Sequence, residues 1–138
     1  MRSSVAAACL LALVAGGCGG GGDDEDKPAA AVAADLTVTV RPKGADGSAK
    51  ERRIRCERLG PKAGTAACQQ LAGLTAAQLE PVPANVACTQ IHGGDATARV
   101  RGELFGKPVD ARFDLTDGCE IERWDRNRAL LDDPPPGG

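Results

Sequence analysis

Six cysteines, one histidine and a scatter of carboxylates are the side chains of this sequence with chemistry to offer. Cys9 sits in an apolar run and reads as a small hydrophobe there. Four cysteines lie in the body of the chain, Cys56, Cys68, Cys88 and Cys119, separated by 12, 20 and 31 residues. A zinc site would need paired short spacings such as CxxC, so no metal is expected. An even number in an exported chain implies two disulfides. Of the three possible connectivities, chain order favours Cys56 with Cys68 and Cys88 with Cys119, whose loops would stabilise the fold by about 3 and 4 kcal/mol. His92 has no Ser, thiol or second ligand at motif spacing and reads as an exposed loop histidine. Asp110 with Asp114, and Glu120 with Glu122, are interleaved with Arg112 and Arg123. They are expected to be salt-bridged surface rather than general acid–base pairs. Arg52, Arg53, Arg55 and Arg58 form a basic cluster that reads, beside Glu51 and Glu57, as a solvated strand face. No enzyme and no cofactor are expected.

Composition sets the scaffold for these groups. The chain has 138 residues, with 17 Lys+Arg against 19 Asp+Glu, a balance that excludes an electrostatic nucleic-acid binder. Two Phe, one Trp and no Tyr leave no stacking platform for single strands and no aromatic cage. With 24 alanines the large apolar side chains are few, so the core needs its disulfides. Leu36, Val38 and Val40 alternate with threonines, and Ile54 and Cys56 alternate with arginines, giving two strands joined across Gly44 to Gly47. Thr65 would cap a short helix carrying Cys68, with a further turn at Thr75 to Leu79. Pro81 and Pro83 force an extended segment through Val86, Ala87 and Cys88, which Gly93 and Gly94 end. Ala98, Val100, Leu104, Phe105, Val109, Ala111, Phe113 and Leu115 flank Gly106 and Lys107 as an antiparallel hairpin. After Gly118 a short helix would carry Ile121 and Trp124 onto the sheet. The expected fold class is α+β: an antiparallel sheet of four to five strands with two short helices and two disulfides.

The first 18 residues have one basic residue, an apolar run and a small-residue end, the pattern of an export signal, and the run is too short to span a membrane. Ala15, Gly16, Gly17 and Cys18 resemble a lipobox, in which the cysteine is acylated with diacylglycerol. Residues 19–34, with four glycines and then Asp23, Asp24, Glu25 and Asp26, read as a flexible tether. Residues 35–131 form the domain, and 132–138 a disordered tail. The expected location is the outer face of the cell membrane, through the lipid on Cys18, or outside the cell.

From residue 36 to 124 the sequence resembles the Streptomyces subtilisin inhibitor family. The resemblance is carried by the LTVTV strand, Cys56, the Gly/Ala-rich stretch into the Cys68 helix, Leu79 and Pro81, and Cys88-Thr89. Its most specific part is GELFGKPVDARFDLTDGCEIERW at 102–124. The resemblance implies the same disulfide pairing. It also implies inhibition of subtilisin-type serine endopeptidases by a substrate-like loop that docks in the protease cleft and is cut slowly. The reactive bond would join Gln90 to Ile91, flanked by Cys88, Thr89 and His92. Secreted members usually carry Pro in place of Thr89 and Tyr-Asp-Pro in place of His92, Gly93 and Gly94, whereas a Cys-Thr-x-x-Tyr-Gly-Gly segment is similar to lipoprotein members. Members are often dimers through a sheet face, so a homodimer is a further expectation. The alternative is a non-inhibitory cell-envelope lipoprotein that reuses the fold for binding or support.

Overall fold

The computed structural model describes residues 32–132. The signal segment, Cys18, residues 19–31 of the tether and the tail from residue 133 lie outside the described residues. The described part is α+β, with one antiparallel sheet of order β2-β1-β3-β4. Strand β1 spans Ala34–Arg41, β2 Lys50–Cys56, β3 Thr97–Leu104 and β4 Lys107–Phe113. The first and last pairs are the two hairpins that alternation anticipates, and β1 joins them by pairing with β3 from Ala34↔Leu104 to Arg41↔Thr97.

Alternation decides which face is buried. Ala34, Leu36, Val38, Ile54, Ala98, Val100, Ala111 and Phe113 point inward, while Thr37, Thr39, Arg53, Arg55, Arg101 and Arg112 lie on the other face. Short helices cover the inner face: α1 over Ala66–Gln70, α2 over Ala76–Leu79, α3 over Gly118–Arg126 and α4 over Arg128–Leu131. Thr65 Oγ1 accepts from the Cys68 amide, and Thr75 with Gln78 forms a capping box. Leu71, Leu74, Leu79, Trp124, Leu130 and Leu131 complete the core. Both disulfides are present, Cys56–Cys68 with a Cα separation of 5.8 Å and Cys88–Cys119 with 5.4 Å. The first pins α1 to the end of β2.

Three positions depart from the sequence reading. Phe105 does not join the inward row of its hairpin; it is 56% exposed at the tip. Ile121 does not reach the sheet but lies against Gly93, where an added Cβ would come within 2.9 Å of its side chain. Arg123 is no surface residue: it is 3% exposed, with its guanidinium 4.1 Å from the centre of the Phe113 ring. It donates to Glu120, to the Arg112 carbonyl and to the Leu79 carbonyl at 2.7–2.9 Å. A cation is stable at that depth because one carboxylate, two carbonyls and an aromatic face receive it.

The other charges behave as amphipathic elements require. Arg53 and Arg55 pair with Asp35, and Arg99 and Arg101 with Asp110, all on the outer sheet face. The hydrogen bond from Arg53 holds the Asp35 carboxyl below its ordinary range, and that from Arg99 does the same for Asp110. Arg52 turns inward and donates to the Leu130 carbonyl.

Candidate functional site

Residues 86–95 run between α2 and β3 without joining the sheet, and no turn or bend interrupts 87–94. The approach is not extended throughout, as the prolines implied: Ala84 and Asn85 form a turn that the Val86 amide closes on the Pro83 carbonyl at 3.0 Å, the fixed φ of proline suiting a turn as well as extended chain. What fixes the segment is the stretch that follows β4. The Gly118 amide donates to the Thr89 carbonyl at 2.9 Å, and the Gly93 amide donates to the Leu115 carbonyl at 2.8 Å. Between those two clamps stand Gln90, Ile91 and His92, all exposed. Ile91 is 60% exposed, the most open large apolar residue described. Cys88, one residue before the first clamp, is bonded to Cys119.

Local chemistry prepares the surface that receives the loop. Asp117 caps α3, its Oδ1 accepting from the amides of Cys119 at 2.9 Å and Glu120 at 3.0 Å. Asp114 takes up the Thr116 amide and hydroxyl, which turns the chain from β4 toward α3. A Cβ at Gly118 would lie 2.0 Å from Thr89 Oγ1 and 3.3 Å from its Cβ, so the glycine gives the Thr89 side chain the room it occupies. At the far end, a Cβ on Gly44 would meet the Asp95 carbonyl at 2.6 Å, which seats the β1–β2 turn against the loop's exit.

The side chains of the span are free of the core. Gln90 Nε2 reaches back to the Cys88 carbonyl at 3.4 Å, and His92 Nε2 lies 3.3 Å from Asp95 Oδ1. His92 thus stands as the exposed loop histidine that its isolation in the sequence implied. Cys88, Asp117 and Cys119 are close enough to share an ion, but both sulfurs are engaged in the disulfide and neither is a thiolate ligand. A groove of about 530 Å³ lies beside the loop, lined among others by Pro81, Pro83, Val86 and Arg126.

The structure brings Cys88, Thr89, Gln90, Ile91, His92 and Cys119 into one place, and Cys56 with Cys68 into another; Cys18 lies outside the described residues. Sequence reasoning missed Arg123 as a tie between α2, β4 and α3, and missed Asn127. Asn127 is 2% exposed and donates to the Gln78 and Arg123 carbonyls. The signal was present, because residues 123, 124, 127, 130 and 131 share one helical face with the core.

No known family model matches the chain, and neither a curated protein nor a solved structure does so.

Proposed function

We propose that the chain is a substrate-like inhibitor of subtilisin-type serine endopeptidases, of the Streptomyces subtilisin inhibitor kind. In this reading the bond between Gln90 and Ile91 is presented to the protease, and the protein is exported and attached to the outer face of the cell membrane through acylated Cys18. The observation that carries the reading is the exposed span 90–92, clamped on both sides by backbone hydrogen bonds and rooted by a disulfide.

Such a span suits a protease cleft and resists turnover for the same reason. Because its backbone is already extended and anchored, little conformational entropy is lost on docking. When the protease serine attacks the Gln90 carbonyl carbon, the Ile91 amine is the leaving group. That amine cannot diffuse away, since Gly93 is bonded to Leu115 and residues 88 and 119 are covalently joined across the cut. A tethered amine near the acyl-enzyme favours resynthesis over hydrolysis.

Gln90 bonding its own loop, and the two glycines at 93 and 94, support the second reading, a non-inhibitory envelope lipoprotein on the same fold. Titration of subtilisin with the purified protein separates the two. The inhibitor reading expects activity to fall linearly to zero at one equivalent. Undiminished activity with cuts at many sites favours the second.

A further inference from the structure

The turn between β3 and β4 has two residues, Phe105 and Gly106, between the paired Leu104 and Lys107. Both have positive φ, 51° and 74°, the pattern of a type I′ turn. Such a turn favours Asn-Gly or Gly-Gly, and Phe105 is the only described residue other than glycine at positive φ. A bulky aromatic there works against the backbone, and its ring lies mostly in solvent. The chain has two Phe, and it places this one where the fold gains least from it.

The surroundings say what the ring meets. The Phe105 amide donates to the Ala33 carbonyl at 2.7 Å, so the N-terminal segment enters the domain at this tip. The ends of β2 and β3 and the starts of β1 and β4 share this end of the sheet. Arg58 and Lys62, which line one groove with Cys56 at the end of β2, stand near this end, as does Lys107; none has a carboxylate partner among the described residues, and the exposed Glu57 and Glu103 share the surface without outnumbering them. Gln90 and Ile91 project at the opposite end, roughly 25 Å away along strands of eight residues.

We propose that this tip rests on the membrane to which Cys18 is attached, with the Phe105 ring in the interfacial layer and Lys107, Arg58 and Lys62 on anionic headgroups. The proposal rests on the attachment reading given above. It orients the domain so that the span 90–92 faces outward, clear of the bilayer.

The two phenylalanines supply the test. The full chain, isolated from membranes with 4-fluorophenylalanine incorporated, is placed in vesicles of phosphatidylcholine and phosphatidylglycerol and followed by fluorine NMR. A nitroxide on the lipid chains should broaden the Phe105 signal and leave buried Phe113 unchanged, while a water-soluble paramagnetic chelate should spare both. Phe105→Asn, which suits the turn, should abolish the contact and raise the Tm by about 4 °C. If Cys18 carries lipid and the protein sediments with vesicles, yet Phe105 responds only to the chelate, the tip proposal alone is overturned. A Phe105 signal shielded from both probes would mean cover by protein and would also overturn it. Unmodified Cys18 with protein that stays in solution would remove the attachment reading and the tip proposal together.

Discussion

Gln90 is the residue on which specificity turns in the inhibitor reading. Its neutral, unbranched side chain fits a broad shallow pocket but leaves the buried carboxylate of a trypsin-like pocket unpaired, at a cost of several kcal/mol. Wild type should therefore ignore trypsin, and Gln90→Lys should create trypsin inhibition. Gln90→Met should tighten subtilisin binding through added apolar burial. Inhibition constants for both enzymes that stay the same across these variants would remove Gln90 from the contact. Arg123 matters to the fold instead. Arg123→Ala would leave Glu120 and the Leu79 and Arg112 carbonyls without their donor. A loss of about 3 kcal/mol or more is expected in denaturant unfolding, and a loss under about 1 kcal/mol would show the cluster to be dispensable.

The elements that hold the loop respond differently from the loop itself. In Gly118→Ala the new Cβ would stand 2.0 Å from Thr89 Oγ1 and 3.3 Å from its Cβ, so the Thr89 side chain is displaced and the first clamp is strained while the sheet and core stay intact. A rise of tenfold or more in the subtilisin inhibition constant with a nearly unchanged Tm is expected; equal values would show that the clamp does not position the loop. The sheet's outer ion pairs give an acid signature. Asp35 and Asp110 titrate below their ordinary value because Arg53 and Arg99 hydrogen-bond their ionised forms. A depressed folded-state value means stability that is present above the unfolded carboxylate range near pH 4 and lost as pH falls through the lower, folded one. Thermal unfolding between pH 5 and 2 should show this decline, blunted in the double variant Asp35→Asn, Asp110→Asn. Parallel curves would show that these exposed pairs contribute nothing.

Across the whole molecule, what could be read from the sequence followed from periodicity. Strict alternation in LTVTV and in the Phe113 hairpin marked the strands, Thr65 marked α1, and cysteine order anticipated both bridges. The pairing of β1 with β3, which joins the two hairpins into one sheet, could not be read, because strand order depends on long-range pairing rather than local pattern. Arg123 and Phe105 were misplaced because residue type was weighed above position: an arginine on a core face and a phenylalanine in a turn each defy the usual partition. The loop was located from Cys88 and the resemblance. Its two clamps were invisible, since backbone hydrogen bonds from Gly93 and Gly118 leave no mark in side-chain pattern.

The inhibitor account is tested most directly by the fate of the bond between Gln90 and Ile91. Prolonged incubation with catalytic amounts of subtilisin, followed by mass measurement before and after reduction, should give one cut there, with the halves joined until the disulfide is reduced. The isolated cut form, mixed with fresh subtilisin, should still inhibit and should partly regenerate intact chain. Cleavage elsewhere, or a cut form that neither inhibits nor reseals, would contradict the account.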